Sequence, residues 1–372
     1  MKFSSAMLAL FLAVTILIIS LVLSERNNQP AIVVTEHWLA DFIADKQNLH
    51  QVQIYNRNNE LLINAQLIKD NWVVTNLDNY PLKMSQFSQW LEQLILAKNI
   101  EEKTNRPEQF YKLGLQDPSA SEETLKQALK NSVKSVRALE SDRDNYAYLV
   151  KLNTGKQFDL LIGKQAANGN GQFVRRQRSQ KTWLLNYNIE MPKTSSDWIK
   201  TDFFNWNIQQ VNRVSIQHVD LQEEFKIERV DIALANHSQA EPELNKQPTK
   251  MGDVWAMSPL KPEQQIGAEK TITNYINQLS NLSFVEPEAV NPELWQQDSI
   301  VLIQIAFNDD SLVSLSLRSN DEQHWVRVMA QGSGQIATEL AGLTQWQFKL
   351  SSTQFKQINQ RLSYFLANPV TE

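Results

Sequence analysis

The chain contains no cysteine. Disulfides, thiolate metal sites, cysteine nucleophiles and a lipidated N-terminal cysteine are therefore excluded. This does not argue against an extracytoplasmic location, because 372 residues can bury a sizeable core without covalent staples. Positive charge is also scarce. The formal net charge is −5 and the isoelectric point about 5.7, against the basic face a nucleic-acid binder needs. Histidine is sparse: His37, His50, His218, His237 and His324 never fall at i, i+4, so no helical metal-binding pair is present. The pattern G-x-S-x-G is absent, which removes the strand-to-helix nucleophile turn and leaves only a Ser/His/Asp set assembled from distant residues.

One long apolar run is present. From Ala6 to Leu23 only Thr15 and Ser20 interrupt it, Lys2 precedes it, and Glu25-Arg26 end it. As a helix it would span about 27 Å, close to the hydrocarbon thickness of a bilayer. A cleaved signal peptide has a shorter apolar core, and Val22-Leu23-Ser24 is a poor small-x-small cleavage site. The run therefore reads as an uncleaved single-pass anchor over residues 1–24. Lys2 and the free amine favour the N-terminus inside, with the body outside the cytoplasm. No second run is long enough, since Ser299–Phe307 is too short to span as a helix.

The body has 42% hydrophobic and 21% charged residues over the whole chain, with ten Trp and fifteen Phe to fill a core. After a polar linker over 25–30, the pattern predicts two α+β units, 31–200 and 208–372, divided near Pro192–Asn207. In the first, Val52–Tyr55 and Leu61–Ile63 form a hairpin about Asn58-Asn59, and Trp72-Val73-Val74 is a third strand. Asp78–Pro81 is a turn, and Met84, Phe87, Trp90, Leu91, Leu94 and Ile95 mark one face of an amphipathic helix. Four more strands follow: Tyr146–Leu152, Phe158–Ile162, Phe173–Arg176 and Thr182–Leu185. The second unit repeats this grammar. Val214–Ile216 and Phe225–Ile227 form a hairpin, Val254–Met257 a strand, and Ile272, Tyr275, Ile276, Leu279 and Leu282 a helical stripe. Ile300–Phe307, Leu312–Leu317 and Trp325–Met329 are strands, and Phe355, Ile358, Leu362, Phe365 and Leu366 mark one closing helix.

Short matches support an internal repeat. Tyr80-Pro81-Leu82-Lys83 and Ser258-Pro259-Leu260-Lys261 each stand between a Trp strand and a helix. Phe173-Val174-Arg175-Arg176 corresponds to Trp325-Val326-Arg327-Val328. The first unit is longer between these landmarks, and the polar stretch 116–145, with a helix expected over Glu122–Leu139, reads as its insert. A polar loop is expected over 236–250. Strands grouped about one helix, then repeated, argue α+β with antiparallel strands.

Several local patterns suggest chemistry. Gly332-Ser333-Gly334 after a strand resembles a dinucleotide fingerprint, but no acidic residue ends a following strand, so a hairpin turn is expected. Gly163-Lys164 lacks the earlier glycine and the following Ser/Thr of a phosphate loop. His218-Val219-Asp220 reads as a solvated strand face, and Glu101-Glu102 and Glu223-Glu224 as surface acid pairs. Arg175, Arg176, Arg178 and Lys181 form a basic cluster in which Arg176 and Arg178 share a face opposite Arg175; it reads as an ordinary exposed hairpin face, with a partner's acidic patch or lipid headgroups as the alternative. No residue is assigned a catalytic, cofactor-binding or metal-binding role, and no cofactor is expected.

Taken with the apolar run, Trp72-Val73-Val74, Glu102-Lys103-Thr104, Glu108–Leu115, Leu161-Ile162-Gly163-Lys164 and Phe173–Arg176 give the chain its resemblance to a bacterial family known as domain of unknown function 4340. The resemblance covers about residues 50–190 well and the second unit more loosely. It implies no activity and no catalytic residues. It does imply a possible partner, because some members resemble accessory parts of ABC-type transport systems. The resulting expectation is a non-enzymatic module anchored in the bacterial inner membrane by Ala6–Leu23. Its body would be periplasmic and would meet a transporter or another membrane protein. A second reading is a periplasmic binding protein for a glycan or lipid, suggested by the abundant Trp and Tyr. A third is a hydrolase built from distant residues.

Overall fold

The computed structural model describes residues 36–118, 143–204, 206–230, 254–296, 301–320 and 323–367. The apolar run Ala6–Leu23, the expected helix Glu122–Leu139, the loop 236–250 and His237 lie outside them. Among the described residues, no helix is long and apolar enough to cross a membrane. The chain divides into two compact units. One holds the residues up to Leu67 together with Met84–Lys193; the other holds Ile68–Lys83 and the residues from Thr194 onward.

The chain begins with α1 (Ala40–Asp45), β1 (Gln51–Tyr55) and β2 (Leu61–Ile68). Next come β3 (Asn71–Val74) and β4 (Tyr80–Pro81), on the segment grouped with the second unit, then α2 (Met84–Leu96) and β5 (Asn99–Glu102). A 3-10 helix (Pro107–Leu113), β6 (Tyr148–Asn153), β7 (Gln157–Gln165), β8 (Gln172–Arg176) and β9 (Thr182–Leu185) follow. Within the first unit the strands run β2-β1-β6-β7-β8-β9-β5, every pair antiparallel. Alternation sets the register. Val52 and Ile54 of β1 face Ala65 and Ile63 on one side and Leu152 and Val150 on the other, all buried. On α2, Phe87, Trp90 and Leu94 are buried at the spacing of one helical face, and each contributes roughly 1.5–3 kcal/mol by leaving water.

The second unit is built from β10 (Val211–His218), β11 (Glu223–Val230), β12 (Val254–Ser258), α3 (Glu269–Ser280) and β13 (Glu286–Ala289). A 3-10 helix (Pro292–Trp295) precedes β14 (Val301–Phe307), β15 (Leu312–Asn320) and β16 (Gln323–Gln331). After them come α4 (Gln335–Leu340), β17 (Trp346–Leu350), α5 (Ser352–Ile358) and α6 (Leu362–Phe365). The sheet order is β12-β11-β10-β14-β15-β16-β17-β13. Position by position, the seven strands of the first unit reappear as β11-β10-β14-β15-β16-β17-β13. The helices α2 and α3 fall at the same point of the chain, and both Pro-led 3-10 helices follow the strand that ends the sheet. The repeat seen in short sequence matches is thus a duplication of topology, and the fold class is α+β with antiparallel sheets.

Segment Ile68–Lys83 joins the second unit through an aromatic cluster. The Tyr80 ring lies edge-on to Trp346 at 4.9 Å, Phe284 at 5.7 Å and Phe348 at 6.1 Å. Asp78 accepts from the Ala289 amide at 2.7 Å and, through its carbonyl, from Trp346 Nε1 at 3.3 Å. Asp78 and Asn79 both adopt positive φ (52° and 61°), the left-handed conformation that short polar side chains tolerate and that turns the chain here.

Two expectations need correction. The single closing helix is two, α5 and α6, with a break at Asn359–Arg361. The break frees backbone groups that are then tied down: the Gln360 carbonyl contacts His218 Nε2 at 3.0 Å, and the Leu362 amide donates to Glu223 at 3.2 Å. His218 is consequently buried, not part of a solvated strand face.

Candidate functional site

The first unit's strand pattern separates the basic cluster. Arg175 of β8 pairs with Leu161 of β7, and paired residues share a face. That face carries a cluster of Phe110, Leu115, Ala147, Leu149 and Leu161, so Arg175 points inward and is only 3% exposed, which corrects the expectation of an exposed hairpin face for this member of the cluster. Arg176, one residue on, pairs with Leu160 on the other face, where its guanidinium meets the Asp41 carboxylate of α1 at 2.7 and 2.5 Å. The Arg176 hydrogen bonds, and then its charge, hold Asp41 below the usual carboxylate range against the opposing effect of burial. Arg178 is exposed on the turn after β8, and Lys181 lies 3.7 Å from Glu102.

A buried guanidinium is tolerable only if its donors are satisfied. Arg175 Nε donates to the Leu115 carbonyl at 2.9 Å, Nη1 to the carbonyls of Gln177 at 2.8 Å and Ser179 at 3.4 Å, and Nη2 to the Asp117 carboxylate. Its plane lies over the Phe110 ring, 4.7 Å from the centroid. The 3-10 helix Pro107–Leu113 that presents Phe110 ends at Gly114 (φ 66°), a left-handed position. Gly163 completes the arrangement. A Cβ there would stand 2.4 Å from the Leu113 carbonyl, so only glycine lets the helix end approach β7. Gly163-Lys164 is thus in mid-strand, not in a phosphate loop, and Lys164 Nζ reaches the Tyr111 carbonyl at 3.4 Å. The second unit repeats the device in looser form: Arg327 of β16 lies 5.6 Å from the ring centroid of Trp295, which ends its own Pro-led 3-10 helix.

Beside Arg175 is an open hollow of about 450 Å³, lined among others by Tyr146, Asp117, Gln177 and Arg178. It holds a single carboxylate, Asp117, which is engaged by Arg175, and no histidine. The acid pairs are engaged elsewhere: Glu101 contacts Lys103 at 2.5 Å, and Glu223 lies 3.7 Å from Arg361. Among the described residues, no group of three His, Asp or Glu side chains could hold a metal ion. His37 and His50 bond nearby backbone carbonyls, each at 3.0 Å. His324 stacks on Phe355 at 4.3 Å and lies between Ser319 and Ser352, at 3.0 and 3.2 Å; burial, then Lys356, lowers its pKa.

Gly332–Gly334 departs from expectation. Instead of a hairpin turn it opens a helix, α4. The helix amides are already occupied: Ile336 N donates to Asp309 Oδ2 at 3.2 Å and Ala337 N to Ser311 Oγ at 3.0 Å. A Cβ on Gly334 would meet both residues at 2.3 Å, so the glycine admits an internal carboxylate where a dinucleotide fold would admit phosphate. Burial would raise the Asp309 pKa, but the Ser311 hydroxyl and the amides of Ile336, Ser311 and Gln335 outweigh it and hold the group ionised.

In the sequence, Arg175, Gly163 and the stretch Glu108–Leu115 stand out separately. Asp117 and Asp309 do not stand out there as partners, because the spacing of residues along a chain does not say which loop folds onto which strand.

The fold and this arginine-centred packing define a class: a duplicated antiparallel α+β protein in which a buried arginine ties a 3-10 helix to its sheet. The chain belongs to the family described as a domain of unknown function (DUF4340), whose pattern matches residues 72–299. No curated protein and no solved structure matches it.

Proposed function

We propose that this protein is a non-enzymatic, membrane-anchored interaction module with its body outside the cytoplasm, acting as an accessory part of a membrane complex such as a transporter. One observation carries the reading. The residues on which the family resemblance rests (Phe110, Gly114, Gly163, Arg175) converge in space, and the Arg175 guanidinium among them is taken up by the carbonyls of Leu115, Gln177 and Ser179 and by Asp117. A catalytic centre keeps an acid, base or nucleophile aimed at a cleft; here the signature builds a rigid framework instead. The apolar run Ala6–Leu23 supports the anchor, and the resemblance to transport accessories suggests the kind of partner.

Gentle crosslinking in native membranes, followed by purification of the tagged full chain, tests the role. A stoichiometric membrane-protein partner is the expected result, and recovery of the chain alone would count against it. A C-terminal reporter tests the topology separately: activity confined to the cytosol would remove the proposed compartment.

A further inference from the structure

We infer that the second unit carries a binding groove for a neutral saccharide, lined by carboxamides between α3 and α5. Along α3 the buried stripe Ile272, Tyr275, Ile276 and Leu279 leaves a second stripe one step round the helix. Asn274, Asn277 and Gln278 form it, continued by Asn281 at the C-terminal cap. These positions are i, i+3, i+4 and i+7, so all four amides share one face. Gln354 and Gln357 of α5 stand across from them, and the hollow between is about 360 Å³. Its lining contains no charged side chain.

Two of the amides are fixed in place. Gln354 Nε2 donates to Ser283 Oγ at 2.6 Å while its Oε1 accepts from Ser351 at 3.1 Å, and Asn281 Nδ2 donates to the Asn277 carbonyl at 2.8 Å. Gln278 Oε1 is buried with no hydrogen-bond partner among the described residues. A buried acceptor left unpaired is costly, and a ligand donor would satisfy it.

The duplication supplies an internal control. Aligning the buried stripes of the two helices places Gln93 of α2 where α3 has Gln278. There the same oxygen accepts from the Glu190 amide at 2.9 Å. In the first unit a backbone amide thus takes up this oxygen, and Glu92 and Leu96 stand where the second unit has Asn277 and Asn281, so among the described residues only the second unit keeps an unbroken amide row with its acceptor unpaired.

The chemistry selects the ligand class. A carboxamide both donates and accepts, as a sugar hydroxyl does, so facing amide rows match paired hydroxyls. The absence of charge disfavours an acidic or basic ligand. Tyr364, 42% exposed on α6, supplies an aromatic ring on which the apolar face of a pyranose can pack. An extended peptide would also need side-chain pockets, and the only aliphatic residue in the lining is the buried Leu282.

Saturation-transfer NMR on the full chain, with chitotriose and maltotriose as separate probes, tests this. Transfer to the ring protons of at least one sugar is expected. Asn277→Ala and Tyr364→Ala, both at exposed positions, should each weaken binding by about five- to tenfold, the loss of one hydrogen bond or one ring contact. Gln89→Ala, at the exposed position of the first unit that corresponds to Asn274, should change nothing. No transfer from either sugar overturns the inference, as does transfer that both groove variants leave intact. Trialanine binding at this groove more tightly than either sugar would overturn it in favour of a peptide.

Discussion

Arg175 is where side-chain chemistry and backbone packing meet. Its planar fork serves carbonyls from two loops and one carboxylate at once, which a lysine ammonium on a flexible stem cannot reproduce. Arg175→Lys keeps the charge and the approximate volume, and is expected to cost roughly 1–3 kcal/mol, the penalty for leaving a buried carbonyl without a donor. Chemical unfolding of the variant checks this; an unchanged midpoint would mean that the fork does not hold the 3-10 helix. The alternation along β8 was readable from sequence, so the opposite facing of Arg175 and Arg176 was expected. That Arg175 would be the buried one was not readable, because Phe110 and Asp117 arrive from about sixty positions earlier.

Elements, not residues, explain the corrected expectations. The glycines at 332 and 334 read as a turn because nothing local marks a helix start at Gln335. The capping groups, Asp309 and Ser311, sit in the preceding β14–β15 turn and reach α4 only through the sheet. Asp309→Ala should cost about 0.5–2 kcal/mol, as loss of a capping side chain does. Because the folded carboxyl titrates below its ordinary value of 3.8, its contribution is complete above that value and is lost as pH falls through the lower folded one. The difference between wild type and variant should therefore be full at neutral pH and vanish in acid, with faster amide exchange at Ile336 and Ala337 in the variant. The strands β5 (Asn99–Glu102) and β13 (Glu286–Ala289) were invisible for a related reason. Both are polar, show no apolar alternation, and exist because β9 and β17 offer them a hydrogen-bonding edge.

On the scale of the whole molecule, the duplicated sheet order is the main organising fact, and the segment Ile68–Lys83 is its main departure from chain order. Tyr80 fastens that segment into the aromatic cluster of the second unit. Tyr80→Ala should destabilise the second unit by roughly 3–5 kcal/mol, as other large-to-small aromatic changes do. It should also expose residues 68–83 to protease before the rest of the unit; limited proteolysis with identification of the first cut checks both. The amino-acid sequence by itself determined the period of the apolar strands and of the two long helices, the repeat and the fold class, because apolar spacing and turn residues act over a few positions. Only the tertiary structure decided that Ile68–Lys83 belongs with the later half, that Arg175 lies on Phe110, and that the Gln93 oxygen is paired while, among the described residues, that of its counterpart Gln278 is not. Those outcomes depend on which distant backbone groups come within hydrogen-bonding reach, and a one-dimensional pattern does not encode that distance.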